Sequence, residues 1–351
     1  MKKIILTGVS FVALAAVGPA FAQSTSDITQ TGNANIADVT QTGSNVSTIE
    51  QDGDGNNADV EQANDDNTSD ILQSGSGSNT AIVLQEGSGS DLLDPNVGSF
   101  AFIQQIGTSD GSTATINQLV DTVDSSGEII QSDALASTAT INQNGGIGNG
   151  AGISQGDTSV ATLTTGVVVG TDGSTATIDQ EGDDNTAVVI QGGPTQDTQV
   201  VQAGSGNLAE VEQGTVSGSD STATVEQFGN TGIAQVSQNS TNNVADVVQF
   251  AGTGNSSIIS QGLFAGGDDN FAQVGQAGVG NESTITQSAL VAGSLNVAIV
   301  LQDGDGNIST VTQEGSSNMA DIAQFDGSTS TVTQTGDNNI ANITQGIDPN
   351  L

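Results

Sequence analysis

Acidic turn sequences are the first residues whose types and spacing could do chemistry. QDGDGNN at 51–57 and QDGDGNIS at 302–309 set alternating carboxylates among glycines, a composition that resembles a calcium loop. An EF-hand needs Asp-x-Asp-x-Asp-Gly with a Glu at position twelve, and neither segment has that full pattern. The glycine-rich nonapeptide of calcium-binding β-rolls is missing too. These segments therefore predict turns whose aspartates attract divalent cations weakly and non-specifically.

Adjacent carboxylates suggest a second chemistry, the acid–base pair of a glycosidase. Such pairs occur at Asp183-Asp184 and Asp268-Asp269. Both directly precede an Asn that opens a repeat, a position where a solvated turn acid is common. A carbohydrate-active β-helix would also be expected to use Arg, Lys or aromatic platforms. The pairs therefore predict turns, and we expect no enzyme.

Threonine pairs suggest a third chemistry, the ordered water of an ice-binding surface. The sequence STAT recurs at 112–115, 137–140, 174–177 and 221–224 and would turn Thr-x-Thr pairs outward from strands. Ice-binding solenoids carry such pairs in unbroken ladders on one flat face. The intervals here are 25, 37 and 47 residues, which predicts that the pairs do not stack on adjacent rungs. That spacing argues against ice binding.

The N-terminal residues have the composition of an export signal. Lys2 and Lys3 precede an apolar run over 4–17, and the small residues Ala20 and Ala22 flank Phe21. This pattern predicts a secretory signal peptide over 1–22, cleaved after Ala22. The apolar run is shorter than the about 20 residues that a membrane-spanning helix needs.

Removal of that signal leaves an unusual composition. Lys2 and Lys3 are the only basic residues, so the mature chain would have no Lys, Arg, His or Cys, and its charge would change from −38 to −40. Nucleic-acid binding lacks the cations it needs, disulfides are impossible, and most catalytic side chains are missing. We expect no nucleic acid, small-molecule substrate, cofactor or specific metal. With 47 Gly and 34 % apolar residues, such a chain would be disordered as an isolated monomer unless its repeats stack.

A repeated unit runs along almost the whole sequence. STIEQDGDGNNADVEQ at 47–62 matches STVTQEGSSNMADIAQ at 309–324 at every second residue. The unit is Asn/Ser-x-Ala/Ser-x-Ile/Val-x-Gln, usually followed by x-Gly, in 27 copies from Ser24–Gln30 to Asn339–Gln345, with Thr165 replacing Gln once. Period two indicates one face of a β-strand, and the Gly, Asp, Asn and Ser between units are turn formers. Such a series predicts an all-β solenoid.

The small-residue position sets the size of one rung. It alternates Ser and Ala near both ends, as at Ser47, Ala58 and Ser69, so a rung is two strands, or about 22 residues. If only 27 copies exist, the alternation near the N-terminus and the alternation near the C-terminus differ by one strand. Counting a decayed copy at Ser88–Asp94 brings the two into agreement. This reasoning predicts 28 strands in about 14 rungs. The expected organisation is a signal over 1–22, a solenoid over 23–346 and a stub over 347–351.

The fixed residues are expected to form inward ladders that stack like on like. Rungs about 4.8 Å apart place Ile or Val in an aliphatic column, with Ala or Ser keeping the sheets close. Buried Asn and Gln avoid the cost of an unpaired amide because each can donate to its equivalent one rung away. The predicted ladder is Asn45, Ser47, Ile49, Gln51, Asn56, Ala58, Val60, Gln62, Asn296, Ala298, Val300, Gln302, Asn307, Ser309, Val311, Gln313, Asn318, Ala320, Ile322, Gln324, Asn339, Ala341, Ile343 and Gln345, with turn glycines of positive φ at Gly53, Gly304 and Gly315.

These residues resemble the curlin repeat family, the subunits of curli amyloid fibres on bacterial surfaces. The family pattern Ser-x5-Gln-x-Gly followed by Asn-x-Ala-x3-Gln is met by Gln51, Gly53, Asn56, Ala58 and Gln62, although Ser47 lies four residues before Gln51 and Asn45 lies six before it. The Ser-x5-Gln spacing is met outright at Ser24–Gln30, Ser112–Gln118 and Ser328–Gln334. The chain departs from the family in carrying far more repeats and in lacking a Gly-rich targeting segment after the signal.

The resemblance implies an extracellular, self-assembling cross-β fibre subunit of a surface or biofilm matrix that aids adhesion and aggregation. Its implied partners are further copies of itself, a nucleator and curli-type secretion components. The alternative is a monomeric surface solenoid that acts as an adhesin or binding scaffold and does not polymerise. Both hypotheses predict the same fold and differ in what the ends of the stack do.

Overall fold

The protein is built from β-strands joined by turns. The structure, a computed structural model, describes residues 24–86, 98–107, 111–119, 122–156, 173–214, 219–262, 269–288 and 295–346, together with a two-residue strand at 5–6. Every secondary-structure element in these ranges is a strand. Over the same ranges, no helix long and apolar enough to cross a bilayer is found.

The strands form because polar and apolar residues alternate with a period of two. In Thr113–Gln118, for example, Ala114, Ile116 and Gln118 are buried, while the threonines between them face outward. One buried face per strand requires a second sheet to cover it. The chain supplies that cover by sending successive strands alternately to two sheets.

The chain divides into two compact units, and the first spans Met1–Asp184. It contains two parallel sheets and six rungs, each rung being one strand of the first sheet and the next strand of the second. A separate pair of two-residue strands, Thr122–Val123 and Gly146–Ile147, lies in the segments that connect the second sheet back to the first. The first sheet is β1 (Ile5–Leu6), β2 (Thr25–Thr31), β4 (Val46–Asp54), β6 (Thr68–Ser76), β8 (Phe100–Gly107), β11 (Ser126–Ser132) and β14 (Gly150–Gly156); the second is β3 (Ile36–Gln41), β5 (Asn57–Gln62), β7 (Thr80–Gln85), β9 (Thr113–Gln118), β12 (Thr138–Asn144) and β15 (Thr175–Asp183); the short pair is β10 (Thr122–Val123) and β13 (Gly146–Ile147).

The second unit spans Asn185–Leu351 and repeats the arrangement with seven rungs. Its two sheets are also parallel throughout. The first sheet is β16 (Thr186–Gln191), β18 (Leu208–Gln213), β20 (Ile233–Gln238), β22 (Ser256–Gln261), β24 (Glu282–Ser288), β26 (Ile308–Glu314) and β28 (Thr329–Thr335); the second is β17 (Asp197–Ser205), β19 (Thr222–Gln227), β21 (Val244–Thr253), β23 (Phe271–Val279), β25 (Val297–Asp303), β27 (Met319–Phe325) and β29 (Ile340–Gln345).

Equivalent residues of successive rungs are paired in register. Between β4 and β6, for instance, Ser47 pairs with Ser69 and Gln51 with Gln73. The one register shift among the described pairings lies between β21 and β23, after Gln249. A parallel β-solenoid with two sheets, as predicted, is therefore the fold of each unit.

The described ranges contain slightly fewer rungs than predicted. Six rungs in the first unit and seven in the second make thirteen within these ranges, against about 14 expected. The decayed copy at Ser88–Asp94 and the copy ending at Thr165 lie outside the described residues. Among the described strands, β6 pairs directly with β8 and β12 directly with β15.

Candidate assembly interface

The aliphatic columns form the centre of each rung. In the first sheet Ile49, Ile71 and Ile103 are at most 1 % exposed, and in the second sheet Val60 and Ile116 are fully buried. Each such side chain contributes roughly 1.5–3 kcal/mol to stability when it leaves water. Because consecutive members of a column are paired across strands, each new rung buries the apolar face of the one before it.

Glutamines form continuous hydrogen-bond ladders with one direction. Gln30 Nε2 donates to Gln51 Oε1 at 2.7 Å, Gln51 donates to Gln73 at 2.8 Å, and Gln73 donates to Gln105 at 2.8 Å. The same direction holds in the second unit, where Gln287 donates to Gln313. Each donor therefore belongs to the earlier rung and each acceptor to the later one.

The second N–H of most ladder glutamines ties the two sheets together, a contact that the sequence did not predict. Gln51 Nε2 also donates to the Ile36 backbone carbonyl of the facing sheet at 2.9 Å, and Gln62 donates in the same way to Val46 at 3.1 Å. The amide group thus satisfies one bond along the stack and one across it. Period-two patterns give no signal for this bond, because it depends on the distance between the sheets.

Asparagines at the start of each repeat form a ladder whose hydrogen bonds run in both directions. The backbone N–H of Asn56 donates to Asn35 Oδ1 of the earlier rung at 3.0 Å, and Asn318 Nδ2 donates to Asn296 Oδ1 at 3.2 Å. In the other direction, Asn35 Nδ2 donates to the carbonyl of Gly53 on the later rung at 2.7 Å. The remaining N–H closes the turn, as where Asn45 Nδ2 donates to the carbonyl of Thr42 at 2.9 Å. The Asn ladder therefore combines side-chain and backbone groups, whereas the Gln ladder joins side chains.

Turn glycines let neighbouring turns approach closely. Gly53 has φ +117°, Gly304 +97° and Gly315 +117°, a region that favours glycine. A Cβ on Gly53 would lie against the carbonyl of Gly75, its partner on the next rung. The turns are thus stacked as tightly as the strands.

Turn aspartates hydrogen-bond to the backbone of the neighbouring turn. Asp54 accepts from the N–H of Asn33 at 2.6 Å, and Asp305 accepts from the N–H of Val279 at 2.9 Å. Asp183 accepts likewise from Ile147 at 2.9 Å. No group of three or more potential metal ligands occurs within the described ranges. Asp268 lies outside those ranges.

The structure contradicts one sequence prediction about the threonines. Thr113, Thr138 and Thr175 are paired on adjacent strands of the second sheet, so three of the four Thr-x-Thr pairs do stack. The intervals of 25 and 37 residues each contain one rung with a longer connection, which the repeat spacing did not reveal. The column ends at Ile82, which pairs with Thr115. We assign no function to this patch of six threonines.

The predicted ladder residues lie in two environments. Those from Asn45 to Gln62 and from Asn296 to Gln324 are at most 1 % exposed. Asn339, Ala341, Ile343 and Gln345 on and before β29 are only half-buried, because no described strand stacks on the outer edge of β29. The signal cleavage residue Ala22 is outside the described ranges.

Carboxylates line the outward faces and repel one another between rungs. Burial raises the pKa of Asp59, and Asp38, its paired neighbour, raises it further. Burial likewise raises the pKa of Asp70, with a further contribution from Glu50 on the neighbouring strand. It also raises the pKa of Glu212, where the further contribution comes from Glu210 on the same strand. The outer surface therefore favours protonation when rungs are stacked.

Two segments of the chain match a known repeat family. Residues 196–229 and 293–325 match the family model of the curlin associated repeat. The first segment contains β17, β18 and β19, and the second contains β25, β26 and β27. No curated protein matches the sequence significantly. The resemblance predicted from the spacing of Asn, Ala and Gln is confirmed in these two segments.

Proposed function

We propose that this chain, which carries curlin repeats, is a secreted structural subunit that stacks end to end into curli-like cross-β fibres. The observation that supports this most directly is the single direction of its glutamine ladders. Each glutamine within a ladder donates to its equivalent on the later rung and accepts from its equivalent on the earlier one. The first and last rungs therefore present complementary hydrogen-bonding groups, and copies stack head to tail rather than head to head.

The outermost rungs carry the groups that such stacking would satisfy. Gln30 Oε1, at the start of the first sheet of unit 1, is buried without a hydrogen-bond partner. Gln334 and Gln345 accept from the preceding rung and are the last glutamines of their columns in unit 2. An amide N–H from either would meet the acceptor that Gln30 or its neighbour Gln41 presents in the next copy. Expected removal of residues 1–22 also removes β1, the two-residue strand paired with β2.

The last strand also exposes part of the core. Ala341 and Ile343 are half-buried, and their equivalents one rung earlier, Ala320 and Ile322, are fully buried. Unpaired strand edges are templates for another strand. Adding a copy would complete the burial of this rung, and that gain provides the driving force for growth.

An end-blocking substitution tests the proposal. Ile343→Lys places a charge in the aliphatic column of the last strand, so we expect the purified chain from Gln23 onward to form no fibres while keeping its β-signal. Thr344→Lys, on the exposed face of the same strand, is the matched control and should form fibres like the unsubstituted chain. Electron microscopy and a fibre reflection near 4.7–4.8 Å provide the measurement.

The alternative function would give a different result. A stable, concentration-independent monomer with a full β-signal for the unsubstituted chain would favour the surface adhesin or scaffold. Fibres of Ile343→Lys that grow like those of the control would contradict end-to-end stacking through this rung.

The proposed role is structural and extracellular, in a bacterial surface or biofilm matrix where fibres aid adhesion and aggregation. Its principal partner is another copy of the same chain, with a nucleator and curli-type secretion components as further proposed partners. The mature composition, without Lys, Arg, His or Cys, supports a structural role over a catalytic one.

A further inference from the structure

The outward face of the second sheet in unit 2 carries an exposed apolar column. On the five strands from β21 to β29, the first outward residue is apolar at every rung and each is paired in register with the next. Met319 is 39 % exposed and Ile340 is 71 % exposed. The column is Val244, Phe271, Val297, Met319 and Ile340.

Further apolar residues widen this column into what we call the apolar strip. Val248, Leu301 and Ala323 lie four residues further along β21, β25 and β27, and Leu301 is 48 % exposed. Phe250 and Phe325 lie six residues after the first outward residue of β21 and β27, and Phe250 is 50 % exposed. The strip covers about 24 Å along the stack and about 20 Å along the strands, or roughly 500 Å².

Other faces have a different character. On the first sheet of the same unit, the outward residues of β24, β26 and β28 are mostly threonines, as at Thr284, Thr310 and Thr331. In unit 1 the second sheet begins with stacked carboxylates, Asp38 and Asp59. Polar side chains, Asp246, Gln273 and Asp321, lie between the two apolar columns, but an exposed apolar patch of this size marks an interaction surface.

We infer that the apolar strip is a lateral contact that pairs with the same strip on a second copy of this chain. The mature chain would have no cation, so no ion pair can hold two copies together and a contact between them has to be apolar. The strip offers such a contact, although it carries three carboxylates, Asp246, Asp303 and Asp321, over five rungs. Another copy also has the same rung spacing, so its side chains interdigitate along the full length of the strip, as in a steric zipper.

The strength of the contact depends on how many strips are joined. Two strips bury roughly 1,000 Å² in total, which is near the lower limit for a specific interface, and the three aspartates oppose it. A single pair is therefore weak. In a fibre, and here the inference rests on the proposed function, each copy contributes one strip, so two fibres associate through many weak contacts at once.

The experiment uses the end-blocked Ile343→Lys chain, so that lateral pairing is measured apart from fibre growth. We expect sedimentation velocity in about 0.5 M sodium chloride, where carboxylate repulsion is screened, to show a concentration-dependent dimer. Leu301→Ser with Met319→Ser should weaken that dimer by about tenfold or more, because it removes two exposed apolar side chains of the strip. Ile233→Ser with Ile308→Ser is the matched control on the other sheet, where both residues are similarly exposed, and should leave the dimer unchanged.

A second variant tests the opposing charges. Replacing Asp246, Asp303 and Asp321 with Asn should allow the dimer to form at low salt. The inference is overturned if the end-blocked chain stays monomeric at all concentrations, or if both serine variants weaken the dimer equally. It is also overturned if the strip variant dimerises normally but no longer floats with phosphatidylcholine vesicles, which would assign the strip to lipid.

Failure of the two proposals can be told apart. If Ile343→Lys does not dimerise while the unsubstituted chain forms fibres, only the lateral contact is wrong. If Ile343→Lys itself forms fibres, end-to-end stacking through β29 is wrong, and the strip is then tested by comparing bundle width between the serine variants by electron microscopy.

Discussion

At the residue scale, the serines at the Ala/Ser position of the first sheet are of two kinds. Ser47 and Ser69 are buried with hydroxyls that have no hydrogen-bond partner, and nothing in the structure explains why they are serine. Ser257 in unit 2 occupies the same position but donates to Gln276 Oε1 at 2.8 Å. Serines at equivalent positions therefore contribute differently to the free energy of unfolding.

Alanine substitution should separate these serines. We expect Ser69→Ala to leave the free energy of unfolding unchanged or to raise it by up to about 1 kcal/mol, because an unpaired buried hydroxyl is removed. Ser257→Ala should lower it by about 1 kcal/mol, because Gln276 loses a donor. Urea unfolding of the end-blocked chain, followed by circular dichroism, measures both, and equal losses would show that the Ser69 hydroxyl does have a partner.

Stacked turns are constrained at the element scale as strongly as the strands. Gly53→Ala would combine a positive φ with a Cβ lying against the Gly75 carbonyl, so we expect a loss of about 3 kcal/mol or more. Gly306 also has positive φ, +68°, but nothing lies within 4 Å of its Cβ position, so Gly306→Ala should cost only about 1 kcal/mol. The same unfolding measurement compares them, and similar losses would mean that rung contact at Gly53 is unimportant.

The elements also show what a sequence pattern can and cannot predict. The period-two pattern and the Ser/Ala alternation predicted parallel in-register strands, because each fixed residue has to pack against the equivalent residue of the next rung. They did not predict which strands are neighbours in a sheet. β6 pairs directly with β8, although Ser88–Asp94, which lies between them in the sequence, has the spacing of a repeat. The prediction that the Thr pairs do not stack was wrong for a related reason. A long connection increases the sequence interval between two residues, but the residues still lie on adjacent rungs.

The whole molecule joins an attractive interior to a repulsive exterior. Each added rung extends the Gln, Asn and aliphatic columns, and each also stacks further carboxylates in a chain expected to carry a charge of −40 after signal removal. The interior ladders depend little on salt or pH because they are neutral. The exterior therefore determines how assembly responds to solution conditions.

Acid should accelerate assembly, and the direction follows from the pKa shifts. Stacking raises the pKa values of Asp59 and Asp70 by burial and by a carboxylate of the neighbouring strand, so the stacked state binds protons more tightly than the unfolded chain. That stabilisation is fully present below about pH 4 and is lost as the pH rises through the raised pKa values. Fibre growth at low salt, followed by light scattering, should thus be faster at pH 4 than at pH 8.

Salt and one substitution provide the controls for this prediction. Added sodium chloride should speed growth at pH 8 more than at pH 4. At pH 8 it screens ionised carboxylates, whereas at pH 4 many of these charges have already been removed by protonation. Asp59→Asn should raise stability at pH 8 and leave it nearly unchanged at pH 4, since only the ionised carboxylate repels Asp38. Growth rates that stay constant from pH 4 to pH 8 at low salt would show that the carboxylates do not oppose stacking, and the barrier to assembly would then lie in ordering the first rungs.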